Sequence, residues 1–392
     1  TRAVFGRVGD ELWLHEHRDA AVVHAARADA SLAPLWSHRL PAASRIDLVD
    51  SREPYLVAWE DTLALYERSG AGLAEVYRWP DRMLFAAGAA DLDGDGRREL
   101  YIGTGTSCQL TELSRDEGGA WTHRVVYDVR DTTESAIDSL LALDLDGDGR
   151  EELVAALGGW RAYDVRVLRK DPASGRLRTV ARDKLGNSFG LGHLRGPGGA
   201  PLVVAEVFHR EPNPLVFPPA HPYGAPQGTY LLAFAGGRIE RRAFVPFIHE
   251  GEGADSAGSH WQPLVGDIDG DGRDDFVNHF RRAGGFHSVA QLQGEAGEFA
   301  PVRLDDLSVL ALAQLDDDPA LELLVNDNPP EGPSALWALG VGDERLPVRA
   351  RPVSEDSSDR GPDLAPHMRR GLDAAADLRA VGMFADAADA YQ

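Results

Sequence analysis

Cysteine is almost absent from this chain of 392 residues. The single Cys108 excludes an intrachain disulfide, so stability outside a reducing compartment has to come from packing or from bound metal. Long apolar runs are missing too. The longest, such as Tyr230-Leu-Leu-Ala-Phe-Ala235, have the length of a strand and fall far short of the roughly 18 residues of a membrane helix. Positive charge is in deficit, with 40 Lys and Arg against 63 Asp and Glu and a formal net charge of −23. Nucleic acid and anionic lipid both require clustered positive charge, so both are excluded as partners. No nucleophile elbow, P-loop, zinc-binding HExxH or dinucleotide fingerprint occurs. Turn formers, in contrast, are plentiful. With 42 Gly and 24 Pro, the composition favours many short strands over long helices, and the acidic balance suits a protein that holds divalent cations.

The strongest signal is internal repetition. Three decapeptides are nearly identical: Asp91-Leu-Asp-Gly-Asp-Gly-Arg-Arg-Glu-Leu100, Asp144-Leu-Asp-Gly-Asp-Gly-Arg-Glu-Glu-Leu153 and Asp267-Ile-Asp-Gly-Asp-Gly-Arg-Asp-Asp-Phe276. A decayed fourth copy runs from Gln314 through Asp316, Asp318 and Glu322 to Leu323. Two further copies, Ile46–Ala58 and Gly192–Val204, keep the flanking strands without the acids. The first apolar residue after each loop is Leu56, Leu100, Leu153, Leu202, Phe276 or Leu323, and the steps between them are 44, 53, 49, 74 and 47 residues. A period near 45–50 with strand-like contents indicates the blades of a β-propeller. The long step marks an insertion, placed at the proline-rich stretch from Pro212 to Gln227. Each unit reads as an apolar strand, the acidic loop, a second apolar strand and two amphipathic strands. Residues 1–38 hold four more short strands, expected to make a seventh blade closed by a strand from around Leu336 to Val348. The expectation is an all-β, seven-bladed β-propeller, with six blades as the alternative.

In the three full loops the acids fall at positions 1, 3, 5 and 9: Asp91, Asp93, Asp95 and Glu99; Asp144, Asp146, Asp148 and Glu152; Asp267, Asp269, Asp271 and Asp275. Alternate residues of a tight loop can turn carboxylates toward one centre, and the carbonyl of position 7 (Arg97, Arg150, Arg273) can add an oxygen. Gly at positions 4 and 6 permits the sharp turn and a positive φ. Four crowded carboxylates repel, so such a loop calls for a cation. All-oxygen ligation with several carboxylates suits Ca²⁺ over Mg²⁺, and the lack of His or Cys argues against zinc and copper. An EF-hand fails because position 12 is Ile102, Ala155 or Asn278 and the following segment is β rather than helical. The cofactor expectation is three Ca²⁺ ions. The fourth loop, with Gln314 at position 1 and Asp317 and Pro319 in place of the glycines, is the weaker candidate.

This pattern resembles the FG-GAP/VCBS repeat, the calcium-binding blade of integrin α-subunit propellers, over about residues 1–351. The resemblance implies that the calcium loop joins the first and second strands of a blade. Residues 352–366 read as a polar linker. From 367 to 392, Ala375, Leu378, Gly382, Phe384, Ala387 and Tyr391 resemble the start of a tetratricopeptide repeat, and a capping helical hairpin is the competing reading. The chain opens at Thr1 and stops inside this repeat, so it is expected to be a segment of a larger multidomain bacterial protein; an extracellular or cell-envelope setting is the favoured expectation, with a cytoplasmic one as the alternative.

The expected function is recognition: a calcium-binding scaffold that takes a protein or carbohydrate ligand on the face away from calcium. That face would carry Trp160-Arg161, Phe208-His-Arg210, His249-Glu250, His260-Trp261 and His279-Phe-Arg-Arg282. The alternative is a carbohydrate-active lyase or hydrolase using the same face.

Overall fold

Runs such as Leu153-Val-Ala-Ala-Leu157 have no polar face, and all five of these side chains are buried. Strands of this kind must be covered on both sides, which stacks sheet against sheet. The computed structural model describes residues between Arg2 and Leu339. Its larger omissions are 29–33, 41–44, 50–54, 80–83, 105–108, 129–135, 159–162, 209–225, 248–256, 259–262 and 328–335, and residues 340–392 lie outside it. Cys108, the linker 352–366 and the helical segment 367–392 therefore fall outside the described residues.

The strands form seven antiparallel sheets. Sheet 1 comprises β1 (Arg2–Val8), β2 (Glu11–His17), β3 (Ala21–Arg27) and β4 (Pro34–Arg39). Sheet 2 comprises β5 (Arg45–Val49), β6 (Tyr55–Trp59), β7 (Leu63–Ser69) and β8 (Gly72–Trp79). Sheet 3 follows with β9 (Leu84–Ala90), β10 (Glu99–Thr104), β11 (Gln109–Arg115) and β12 (Trp121–Asp128), and sheet 4 with β13 (Ala136–Leu143), β14 (Glu152–Gly158), β15 (Asp164–Lys170) and β16 (Leu177–Lys184). Sheet 5 holds β17 (Asn187–Arg195), β18 (Pro201–Phe208), β19 (Gly228–Ala235) and β20 (Arg238–Pro246). In sheet 6, β21 (Ala257–Gly258) and β22 (Leu264–Gly266) both pair with β23 (Asp275–Arg282), which is followed by β24 (Gly285–Gln293) and β25 (Phe299–Leu304). Sheet 7 is β26 (Leu307–Ala313), β27 (Glu322–Asp327) and β28 (Leu336–Leu339).

This is an all-β propeller. Six sheets are complete blades of four or five strands, and the seventh has three among the described residues. The first strand of each sheet lies innermost and packs on its counterparts in the adjacent sheets, with β26 meeting β1 to close the ring. One apolar cluster fills each seam. Leu110, Tyr101 and Ala86 meet Ile137, Leu153 and Leu168 between sheets 3 and 4, and Leu12 meets Ala311, Ala313 and Leu324 between sheets 1 and 7. Each fully buried Leu or Ile contributes about 1.5–3 kcal/mol.

The closure differs from the sequence expectation. Residues 2–39 build a complete four-stranded sheet, as expected of a further blade, and β28 pairs with β27; residues 340–348, the rest of the expected closing strand, lie outside the described residues. The reason is register: β27 presents Leu323, Leu324, Val325 and Asn326 to Leu339, Ala338, Trp337 and Leu336, so the late apolar run is taken up by its nearest neighbour in sequence. The expected insertion falls between β18 and β19, where residues 212–225 lie outside the described residues.

Glycine is required where the two inner strands of a sheet approach a neighbouring sheet. A Cβ on Gly192 of β17 would lie 2.8 Å from Val265 Cγ2, and one on Gly103 of β10 would lie 2.9 Å from Ile137 Cγ2.

Candidate metal centre

The four acidic loops join β9 to β10, β13 to β14, β22 to β23 and β26 to β27, so the common topology puts them all at one end of the ring. Each is anchored by its position-2 side chain. Leu92, Leu145, Ile268 and Leu315 are all buried beneath their loops. The glycines at positions 4 and 6 adopt positive φ in all three full copies, from 75° at Gly147 to 86° at Gly149. An L side chain rarely adopts that conformation, which explains the Gly-x-Gly spacing.

The position-1 carboxylate organises the turn. Asp91 Oδ1 accepts from the amides of Gly94 (2.7 Å) and Asp95 (3.1 Å), and its Oδ2 accepts from Gly96 (2.9 Å). Asp144 repeats this with Gly147, Asp148 and Gly149 at 2.8, 3.2 and 2.9 Å. Asp267 differs: Oδ2 accepts from Gly272 at 2.8 Å, but Oδ1 is buried with no hydrogen-bond partner among the described residues. At position 5, Asp95, Asp148 and Asp271 accept from the amides of Arg97, Arg150 and Arg273 at 2.8, 2.9 and 2.9 Å.

Four groups of three acids result, each able to place one oxygen per residue within 4.8 Å of the others: Asp91, Asp93 and Asp95; Asp144, Asp146 and Glu152; Asp267, Asp269 and Asp271; Asp316, Asp318 and Glu322. The structure thus gathers three of the four expected acids in each full loop. It leaves out Glu99, Asp148 and Asp275. Asp275 is engaged by backbone, accepting from Ile268 (2.8 Å) and Gln293 (2.7 Å). Glu152 and Glu322 make the equivalent bond to the position-2 amides of Leu145 and Leu315 at 2.9 and 2.6 Å. Glu99 instead lies near Tyr101 and Lys170.

The electrostatics follow from crowding. Burial pushes the Glu99 carboxyl up to about 7, against the pull of Lys170 and with help from Asp93 and Glu112. Burial also pushes Asp275 up to about 6, with Asp269 and Asp271 adding to it against the amides of Gln293 and Ile268. Glu152 and Glu322 are raised as well, again chiefly by burial. Burial works the same way on Asp93, but its bond to Lys170 outweighs it and holds the carboxyl below the usual range. These loops hold negative charge that a nearby cation would relieve.

Two of the internal cations were not singled out in the sequence. Lys170 and Arg169, adjacent at the end of β15, point to opposite faces of sheet 4, as strand neighbours must. Lys170 Nζ meets Asp93 of the preceding sheet at 2.9 Å, and Arg169 meets Asp146 and Glu152 of its own sheet. The loops are also tied across seams. Asp91 N donates to Glu151 Oε2 (2.7 Å), the Glu151 amide to Asp91 O (3.2 Å), and the Leu321 amide to Asp267 O (2.8 Å). Arg195 likewise holds Asp274, its amide 2.7 Å from Oδ2.

The expected recognition face is described only in part. Trp160, Arg161, His209, Arg210, His249, Glu250, His260 and Trp261 lie outside the described residues. His279 is a correction: it is fully buried instead of lining a rim, its Nδ1 3.3 Å from Ser288 Oγ, and burial pulls it down to about 4. Beside it, between sheets 5 and 6, is a polar cluster that carried little sequence signal. Asn278 Nδ2 donates to Glu206 Oε1 (2.6 Å) and Thr229 Oγ1 (2.8 Å). Glu206 is fully buried, and burial pushes it up to about 8 against its bond to Asn278.

No protein-family model and no curated protein matches the chain. The FG-GAP/VCBS and tetratricopeptide resemblances therefore rest on the residues quoted above. Solved structures do match. A protein from Lactobacillus plantarum aligns at 14 % identity and TM-score 0.53, over 87 % of this chain and 92 % of that one. Sqt1 from Saccharomyces cerevisiae aligns at 10 % identity and TM-score 0.51, over 85 % and 82 %. A periplasmic gluconolactonase from Pseudomonas aeruginosa aligns at 14 % identity and TM-score 0.48, over 86 % and 94 %. At such identities the likeness to the first two concerns the propeller fold alone. Among the described residues no helix is long and apolar enough to cross a membrane.

Proposed function

We propose that this chain is a calcium-stabilised β-propeller that serves as a recognition module, taking a protein or carbohydrate ligand on the end of the ring away from the acidic loops. The observation that carries the calcium reading is Asp267 Oδ1, a buried carboxylate oxygen without a hydrogen-bond partner among the described residues, set among Asp269 and Asp271. A desolvated acceptor is costly unless something fills it, and a hard dication is the ligand this all-oxygen set accepts best. Asp91, Asp93 and Asp95 would hold a second ion, and Asp144, Asp146 and Glu152 a third. Glu99, Asp148 and Asp275 and the carbonyls of Arg97, Arg150 and Arg273 are the further donors to each. A bound ion would supply charge compensation that fixes the turn between the two inner strands of a blade.

The lyase or hydrolase alternative gains nothing from Glu206, whose carboxyl is enclosed by Asn278 and Thr229.

The test is removal of metal. Chelation should lower the melting temperature and added Ca²⁺ should restore it, because an ion that binds only the folded chain stabilises by mass action, about 2.7 kcal/mol at a hundredfold excess over Kd. Metal analysis of the purified chain showing no calcium, together with an unchanged melt, would sink the reading.

A further inference from the structure

The four acidic loops carry different internal counter-charges. In 91–99, Lys170 Nζ lies 2.9 Å from Asp93 Oδ2, 3.3 Å from Glu112 Oε2 and 3.8 Å from Glu99 Oε2, with a side chain only 12 % exposed. This ammonium comes from the next sheet, so it is a tertiary contact and not a local turn bond. In 144–152, the Arg169 guanidinium bonds Asp146 and lies 2.7 Å from Glu152 Oε1, while also covering the Phe234 ring at 5.5 Å. In the fourth loop the Gln314 amide donates inward to the carbonyls of Asp316 and Asp318. The loop 267–275 carries counter-charges of its own, Arg273 on Asp271 and Arg195 on Asp274 with its charge also acting on Asp267, while no donor reaches Asp267 Oδ1 among the described residues.

We propose that Lys170 and Arg169 are built-in counter-cations that compete with Ca²⁺ for the loops 91–99 and 144–152. This rests on the calcium reading above. The physical basis is simple. Carboxylates already paired with an ammonium or guanidinium must give up that pairing to a metal, or share the loop with a like charge. A unit charge about 5 Å from a dication opposes it by more than tenfold in binding even in a waterlike dielectric. Calcium binding at the first two loops would therefore release two basic side chains at adjacent positions of one strand. Loading would be read out as movement of β15 and of the seams on either side of sheet 4.

The experiment is calorimetric titration of CaCl₂ into the whole chain after chelator stripping, for the wild type, Lys170→Met, Arg169→Gln and Asp267→Asn. Lys170→Met should strengthen one binding event by roughly tenfold or more, and Arg169→Gln should strengthen another. Asp267→Asn should remove an event that neither basic-residue variant alters. Circular dichroism of each stripped variant checks that it is folded; the two basic-residue variants are independent, so either one suffices if the other fails to fold. Unchanged isotherms for the folded basic-residue variants would overturn the competition while leaving calcium binding intact. A wild type that binds no calcium at millimolar concentration would overturn both.

Discussion

Replacing Glu206 with Gln should change how stability depends on pH, and the expected size follows from the surroundings of the carboxyl. Glu206 is fully buried on β18 between Asn278 and Thr229, one oxygen bonded at 2.6 Å and the other without a hydrogen-bond partner among the described residues. Burial lifts its pKa to about 8 from an ordinary 4.5. Between these values the folded chain keeps a proton that the unfolded chain releases, so the slope of stability with pH is negative. The contribution is complete below pH 4.5, declines as pH rises, and is gone above about 8. A shift of this size corresponds to about 5 kcal/mol across the window, or about 1.4 kcal/mol per pH unit. Gln cannot ionise, yet its carbonyl can still accept from Asn278. Urea unfolding of wild type and Glu206→Gln at several pH values from 5 to 8, with calcium held constant, isolates the effect, because the other titrating groups cancel in the difference. The variant should gain on the wild type by several kcal/mol over that range. Parallel stability curves would show that Glu206 is ionised or hydrated in the folded chain, and the reasoning from burial would be wrong.

Two further outcomes test the loops and the seams. In saturating calcium, Asp146→Ala should lower stability by about 2–3 kcal/mol through loss of a bound ion, whereas Asp316→Ala should cost under about 1 kcal/mol because Gln314 already fills the fourth loop. Equal losses in denaturant unfolding would contradict the ranking of the loops. Gly103→Ala should destabilise by about 1–3 kcal/mol by driving a methyl into Ile137, and a neutral result would mean that the seam between sheets 3 and 4 relaxes freely.

The parts of the molecule that were legible in the sequence are those that repeat. The Gly pairs at positions 4 and 6 had to be left-handed, and the acids at alternating positions had to share one side of a tight turn. Both constraints are local, so sequence spacing carries them. The strands of residues 1–38 were legible for the same reason, but their closure was not, since nothing in β28 says which neighbour it will pair with. Lys170 stayed hidden because its partner Asp93 lies 77 positions away and in another sheet. Position on a strand fixes which face a side chain takes, but not which loop waits there. His279 was read as a rim residue from its basic and aromatic neighbours, although as the residue next to Asn278 in a buried strand it also had to be enclosed. Glu206 did leave a trace: a lone acid inside the apolar run Leu202-Val-Val-Ala-Glu-Val207 must find a polar partner or stay protonated.

The way the ring shuts has mechanical meaning. Among the described residues no strand is exchanged between the first and last sheets, so their junction is held by side-chain packing of Leu12 on Ala311, Ala313, Leu315 and Leu324. Leu12 is fully buried there, and its packing does for this joint what backbone hydrogen bonds do within each sheet. The acidic turns grouped on sheets 3, 4, 6 and 7 leave that joint's other partner, sheet 1, without such a brace.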